Sequence, residues 1–492
     1  MTSSSGAVEV EHLIGGRWRG GTGPVTERHN PAQPGELVAT VAQATSVDVD
    51  HAVAAARSAA ASWRSVPLAE RGAILSGAAS SLEAAATDVG AELTREEGKT
   101  LAEGIGEVRR AAQILRYFAG EAQREIGELY ASPRSGETIS VLRRPKGVVG
   151  VITPWNFPIA IPAWKIAPAL MYGNCVVWKP ASQVPLLAYR LAQALHGAGL
   201  PAGVLSLLVG NGAIGEHIAR HPDVDAVTFT GSTSIGRHLI ARCGELAKPV
   251  QAEMGGKNAA IVLADAHLPA AAAMVFSAAM SSTGQKCTAT SRLIIERSVT
   301  HDLLEELDRL ARTWSVGDGL DPDIRMGPAV SEGAKTDILQ AVEEAVSEGA
   351  KVHVGGEPYQ SGLLAAGAFV PPSVLEVPDA SARLWRDEIF GPVLAVLSVD
   401  SADEAYRLAN DSPFGLSASI FTNDLRRVSE AVDELEVGVV HVNSETSGAE
   451  PHVPFGGIKQ SGYGPHEQGR SAREFFTDTV TVYSRALEGS GS

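Results

Sequence analysis

The stretch Val148-Val-Gly-Val-Ile-Thr153-Pro-Trp-Asn156 decides the fold, because an apolar run ends at once in a turn that presents an amide. A short run of this kind, rich in β-branched residues, reads as a strand buried on both faces. The pattern recurs at Cys175–Trp178, Val204–Val209 and Val227–Thr230, with helical segments such as Pro185–His196 between. That alternation predicts an α/β chain with a parallel, doubly wound sheet, whose ligands sit beyond the carboxyl ends of the strands. Asn156, Lys179 and Ser232 each fall just after one of these strands.

Working outward, 492 residues are too many for one ordinary core and imply two or three domains. A hydrophobic share of 44% with 20% charged residues describes a globular protein. The formal net charge of −16 excludes the basic face that a nucleic acid or an anionic membrane would need. The first eleven residues lack the basic start and apolar core of a secretory signal, and no apolar run is long enough to span a bilayer. Three cysteines form no disulfide framework, so the expected location is cytoplasmic. From Ser46 to Gln123 the apolar spacing is helical and reads as scaffold, while residues 124–146 read as an excursion with an extended segment. The extended run Val480–Tyr483 could pair with a neighbour, and the Gly/Ser tail reads as mobile.

One thiol stands apart. Cys175 lies in an apolar run and Cys243 in an Ala/Leu-rich helical segment, where thiols behave as small, inert hydrophobes. Cys287 instead lies in Ser281-Ser-Thr-Gly-Gln-Lys-Cys-Thr288, a small, polar segment poorly suited to a core. A free thiol is mostly protonated at neutral pH and needs a base or a positive neighbour to act as a nucleophile. Lys286 is adjacent, and Glu253 ends an apolar segment at a glycine turn where a carboxylate could serve as base. Taken alone, Cys287 could still be a half-buried thiol and Glu253 a solvated loop acid. The Asn156 amide adds a donor that could hold an oxyanion. Two glycine patterns compete for phosphates: Gly210-Asn-Gly212-Ala-Ile-Gly215, and Gly231-Ser232-Thr-Ser-Ile-Gly236, which opens a helix after a strand. The second is favoured for a pyrophosphate, with Gly215 nearer an adenosine. His217 and His221 are four apart but lack an accompanying carboxylate pattern, so no metal is expected.

Six motifs in order, Pro154-Trp-Asn-Phe-Pro158, Phe229-Thr-Gly-Ser-Thr233, Glu253-Met-Gly-Gly-Lys257, Gly284-Gln-Lys-Cys287, Glu388-Ile-Phe-Gly-Pro392 and Pro454-Phe-Gly-Gly457, resemble the NAD(P)-dependent aldehyde dehydrogenases from about residue 12 to 483. The resemblance implies a dinucleotide-binding domain at 1–123 and 147–253, a catalytic domain at 254–469, and a β oligomerisation arm at 124–146 and 470–492. It implies a homodimer or homotetramer acting on a small aldehyde. By the same likeness Cys287, Glu253 and Asn156 are catalytic, with Lys165 and Glu467 on a proton path from the base. NAD or NADP would meet Ile152, Thr153, Pro154, Trp155, Lys179, Ser182, Gly212, Gly215, Phe229, Gly231, Ser232 and Gly255. Glu388 would bond the nicotinamide ribose and Phe390 would pack near its ring. Phe157, Ile161, Trp164 and Phe455 would line the substrate pocket.

One departure bears on the cofactor. Many NAD-preferring members carry Glu where Ser182 stands, and its absence removes a charge that would repel a 2′-phosphate, so acceptance of NADP is expected. The stretches Ile159–Lys165, Thr288–Arg292 and Tyr463–Gly469 look most like the branch that oxidises 2-oxoglutarate semialdehyde, with succinate semialdehyde and aromatic aldehydes as alternatives. A CoA-acylating enzyme is the further rival; Glu253 argues against it, since transfer to a thiol needs no water-activating base.

Overall fold

The computed structural model describes residues 6–125 and 127–486; the Gly489–Ser492 tail lies outside the described residues. Four helices fill the stretch after Thr45: Ser46–Ser65, Leu68–Ala84, Ala86–Glu97 and Leu101–Ala119. The first and last open on capping boxes, Thr45 with Asp48 and Thr100 with Glu103, which satisfy amides that a helix start leaves free.

The expected parallel sheet is present. Its strands run in the order Val250–Glu253, Ala226–Thr230, Val148–Ile152, Cys175–Lys179 and Leu205–Leu207, all parallel. The hairpin His12–Ile14 and Arg17–Arg19 extends one edge antiparallel, and Gly462–Tyr463 closes the other. That last pair returns from the region after residue 254 to the first sheet. Every residue of Val148–Ile152 and of Ala226–Thr230 is buried, as strands covered on both faces must be. Cys175 and Cys243 are buried in this core, and burial pushes their thiols up to about 12 and about 11.

A second sheet of seven strands follows, in the order Lys351–Val354, Ser373–Glu376, Val393–Val399, Thr290–Glu296, Asn258–Val262, Ser417–Phe421 and Val439–Val442. Only Lys351–Val354 runs antiparallel. A three-stranded antiparallel sheet, Thr477–Arg485, Glu137–Pro145 and Gly127–Tyr130, forms an arm. The run Val480–Tyr483 therefore pairs with Glu137–Pro145 of its own chain along nine residues rather than requiring a neighbour for a partner. The strand expected at Val204–Val209 contracts to Leu205–Leu207. No helix among the described residues is long and apolar enough to cross a membrane, and no cluster of His, Cys, Asp and Glu there could hold a metal.

Candidate active site

The carboxyl ends of the first sheet and the start of the second meet around Cys287. A cavity of about 320 Å³ is lined by Cys287, Asn156, Ile161, Gly255, Glu388 and Phe390 among others, with Pro154, Trp155, Gly231 and Ser232 on the wall shared with a longer cleft. That cleft, about 640 Å³, takes in Ile152, Thr153, Lys179, Ser182, Gly212, Gly215 and Phe229. Of the sequence-derived cofactor residues, the turn at Gly231–Ser232 and the turn at Gly212–Gly215 thus border one continuous space. Ser232 caps the helix Thr233–Glu245, whose free amides suit a phosphate.

The Cys287 loop is held by its backbone. Ser282 and Thr283 adopt left-handed conformations (φ 52° and 55°), and Gly284 follows at φ 65°. At Gly284 an added Cβ would lie 2.1 Å from the Gly391 carbonyl oxygen, so the loop approaches the bend before the strand Val393–Val399 only with glycine here. Glu103 accepts from the Ser282 N–H at 2.7 Å and its hydroxyl at 3.1 Å, and Thr283 Oγ1 donates to the Gly327 carbonyl at 3.0 Å. Asn258 Nδ2 donates to the carbonyls of Cys287 and Ala289 at 2.7 and 2.9 Å.

The expected help from Lys286 is not what the charges give. Burial, then the charges of Glu388, Glu253 and Glu467, push the Cys287 thiol up to about 12, while the Lys286 ammonium is itself pushed down by burial, with Glu445 and Glu103 acting against that. A thiol surrounded by carboxylates keeps its proton, so activation must come from a base.

Glu253 can act as one. It is buried at the end of its strand and accepts from the Gly457 N–H at 3.2 Å and from Gln251 Nε2 at 3.4 Å. Burial, then the neighbouring Glu467, raises its pKa well above the carboxylate range. Behind it Lys165, fully enclosed, donates to Thr228 Oγ1 at 2.9 Å and Gln251 Oε1 at 3.4 Å and pairs with Glu467. Thr228 Oγ1 donates to Gln251 Oε1 at 2.5 Å. Lys165 and Glu467 are thus linked to Glu253 through exchangeable protons rather than by facing the cavity.

Asn156 is buried and donates to the Gln285 carbonyl at 3.0 Å, which leaves its second amide proton for the cavity. Gln285 in turn accepts from the Val330 N–H at 2.9 Å. On the opposite wall Glu388 accepts from the Gly256 N–H at 3.0 Å, and a Cβ on Gly255 would come within 1.9 Å of its carboxylate. Phe390, left-handed at φ 57°, meets Trp155 edge to face at 5.4 Å.

The substrate side is less well gathered. Ile161 borders the cavity, but Phe157 packs against Lys99, whose Nζ lies 4.0 Å from its ring centroid. Trp164 and Phe455 stack on each other at 5.6 Å, off the cavity's lining. Arg292, within a stretch that resembles the semialdehyde branch, spends its guanidinium on the carbonyls of Lys257, Leu408 and Ala409.

Sequence reasoning missed several supporting groups. Lys99 and Glu107 hold the Asn156 segment: Lys99 Nζ bonds the Asn156 carbonyl and lies 2.8 Å from Glu107, which accepts from the Ile159 and Ala160 N–H groups at 3.0 and 3.2 Å. It also missed Glu216 and His238, which share the cleft wall and bond at 2.6 Å. No motif marks these residues; the capping box at Thr100–Glu103 was the single local signal.

An α/β chain with a dinucleotide-sized cleft running into a half-buried thiol, with a buried carboxyl close by, is the architecture of a nicotinamide-dependent oxidoreductase. Residues 18–482 match the model of the aldehyde dehydrogenase family, and the chain belongs to that family. It is an NAD(P)-dependent aldehyde dehydrogenase. It is 42% identical to the alpha-ketoglutaric semialdehyde dehydrogenase of Bacillus subtilis strain 168, across 96% of this chain and 97% of that protein. It is 41% identical to the alpha-ketoglutarate semialdehyde dehydrogenase of Haloferax volcanii, across 96% and 98%. Among solved structures, betaine aldehyde dehydrogenase of Staphylococcus aureus with NAD+ superposes with a TM-score of 0.94 at 30% identity, over 97% of this chain and 95% of that one.

Proposed function

We propose that Cys287 is the nucleophile and Glu253 the base in oxidation of 2-oxoglutarate semialdehyde to its carboxylic acid. The observation that carries the chemistry is a protonated thiol and a free Asn156 amide proton on one cavity, with the Glu253 carboxyl, of raised pKa, buried off the lining yet near enough for its charge to act on the thiol. A base whose pKa approaches the working pH is better matched to proton transfer than an ordinary carboxylate. Glu253 takes the Cys287 proton, and the thiolate adds to the aldehyde carbon. Asn156 Nδ2 and the Cys287 N–H hold the resulting oxyanion. Ser232, Lys179, Ser182, Glu388 and Phe390 would hold the cofactor, whose nicotinamide, when bound, accepts the hydride. Once the Cys287 proton has left Glu253, the remaining thioester on Cys287 is hydrolysed by water that the same carboxylate deprotonates, the sulfur leaving as thiolate. Lys165 and Glu467 lie on the path by which these protons depart.

Ser182 places no carboxylate at the adenosine end, and Lys179, whose ammonium burial lowers to about 8, lies beside it; both favour acceptance of NADP. The names of the Bacillus and Haloferax relatives support the substrate. We also propose the division into a cofactor domain (1–123, 147–253), a catalytic domain (254–469) and an arm (124–146, 470–492) that joins copies of the chain. Leu129 and Tyr483 stand 82% and 62% exposed on that arm, apolar surface that a neighbour would cover.

The test is an aldehyde panel followed by cofactor reduction with NAD and with NADP. 2-Oxoglutarate semialdehyde is expected to give the highest kcat/KM, ahead of succinate semialdehyde and aromatic aldehydes. Cys287→Ala should bind cofactor normally and turn nothing over; steady turnover by that variant would sink the mechanism while leaving the substrate question open.

A further inference from the structure

Away from the active site, at the root of the arm, a cavity of about 200 Å³ is walled by cationic side chains from four segments. Arg71 comes from Leu68–Ala84, Arg64 from Ser46–Ser65, Arg143 and Arg144 from the arm strand Glu137–Pro145, and Arg473 from the helix Ser471–Phe476. In a chain with a net charge of −16, five guanidinium groups on one small cavity are not a consequence of composition. Part of this charge is answered: Arg143 donates to Glu474 at 2.7 and 2.8 Å, and of the two carboxylates on the wall, Glu121 and Glu125, the first pairs with Arg124 and accepts from Tyr172 Oη at 2.9 Å.

Arg71 is the decisive group. It is 8% exposed, and its Nε and Nη1 are enclosed with no hydrogen-bond partner among the described residues. Its nearest neighbours are the ring of Trp63, 6.0 Å from the guanidinium carbon, and the backbone at Gly173, where an added Cβ would lie 2.3 Å from Nη1. Burial alone pushes its pKa down, with no carboxylate opposing it. Arg473 is committed by contrast, its Nε 3.7 Å from a Glu474 oxygen and its Nη1 donating to the Glu125 carbonyl at 3.1 Å. A buried cation without a counter-charge is costly, and removing the partner of a buried pair typically destabilises a protein by several kcal/mol. The guanidinium fork matches the paired oxygens of a phosphate or carboxylate. The volume is below that of a cofactor pocket and suits a small anion.

We propose that this cavity binds a small dianion, a phosphate or a short dicarboxylate, that joins the arm to the helices beneath it. Arg71 is the buried anchor, meeting the anion through Nη2, the guanidinium nitrogen that is not enclosed, and Arg144 and Arg64, both exposed, complete the charge from the rim.

The full-length protein, held with saturating NADP so that the cofactor's own phosphate sites are filled, is titrated with inorganic phosphate or with succinate at constant ionic strength and pH. Either anion is expected to raise Tm by about 1–3 °C in the wild type. Arg71→Gln and Arg144→Gln should each abolish the rise, with kcat/KM for the aldehyde unchanged in Arg144→Gln. A response to phosphate alone or to succinate alone identifies which oxyanion the cavity takes. The proposal fails if neither anion moves Tm, or if the rise survives in Arg144→Gln, the surface variant that decides the matter should Arg71→Gln not fold. It fails equally if Arg71→Gln dissociates the oligomer while both anions are without effect on the wild type, since a carboxylate of a second copy then supplies the counter-charge.

Discussion

Two buried lysines flank the reacting groups, and their surroundings have the same ingredients put to opposite use. Lys165 lies behind Glu253 with Glu467; Lys99 lies behind Asn156 with Glu97 and Glu107. Around Lys165 the contacts run through the Thr228 hydroxyl, which can both give and take a proton, and through the Gln251 side chain, which donates to Glu253. Around Lys99 the acceptors are met by backbone N–H groups of residues 99, 159 and 160, and the ammonium itself bonds a main-chain carbonyl. Backbone groups hold geometry but offer no route for a proton. One cluster is thus a conduit and the other a clamp, and the difference lies in what the carboxylates touch rather than in how many there are.

The comparison is broken most severely at the conduit's mouth. Glu253→Gln is expected to lower steady-state kcat by about 10²–10⁴-fold, the range of a general base. Because Glu253 serves both the thiol and the water, the burst of NAD(P)H should slow in the variant, though less than the steady rate, which needs the base twice. Single-turnover and steady-state absorbance on the same sample decide it; equal loss of burst and steady rate would mean that Glu253 is needed chiefly to deprotonate the thiol.

At the clamp the expected loss is of stability. Lys99→Met leaves Glu97 and Glu107 without their cation and frees the Asn156 carbonyl, and breaking such a buried pair costs about 3–5 kcal/mol. Chemical denaturation should report it, together with a fall in kcat from the displaced Asn156 amide. Lys165→Met, by contrast, should alter the pH profile more than the unfolding midpoint. Equal destabilisation by both would erase the distinction.

The conduit was partly legible in the sequence and the clamp was not. Glu253 and Asn156 follow apolar strands and Cys287 sits in a small polar loop, so strand-end position and residue type marked them. Lys165 and Glu467 came from the family likeness. Lys99, Glu103 and Glu107 lie within or beside helices whose periodicity describes scaffold, and their partners are 57 and 179 residues away in the chain. Such contacts exist only once the helices pack. The adjacency of Lys286 to Cys287 misled for the same reason: the charges that weigh most on the thiol are the carboxylates of Glu388, Glu253 and Glu467, which arrive from other segments. The parallel sheet, set by a period visible in a few residues, needed no such information.

A smaller effect sharpens the conduit. Glu467 raises the pKa of Glu253, whereas Lys165 lowers it. Glu467→Gln removes the raising charge and leaves Lys165 unopposed, so both changes move Glu253 the same way. The acidic limb of the kcat profile should shift to lower pH. A limb that stays in place or moves to higher pH would mean that the charge of Glu467 does not act on Glu253.

The smallest effect concerns a proton the clamp holds without passing on. Glu97 is buried; its Oε2 accepts from the Lys99 N–H at 3.2 Å, its Oε1 has no hydrogen-bond partner among the described residues, and Lys99 Nζ stands 3.7 Å off. Burial outweighs the lysine and pushes this carboxyl from 4.5 to about 7. A native pKa above the unfolded one means that the folded state binds the proton more tightly, so stability falls as pH rises from about 4.5 through about 7 and then levels off. Glu253 and Glu96, also raised by burial, add to the slope, so Glu97 accounts for part of it. In Glu97→Gln the neutral amide keeps the shape and has no proton to lose. The decline in Tm between pH 5 and pH 8 should therefore shrink by about 1–3 °C relative to the wild type, with kcat little changed. An undiminished decline would mean that Glu97 is ionised throughout this range, paired with Lys99 as tightly as Glu107 is, and that the clamp holds two full charges against one.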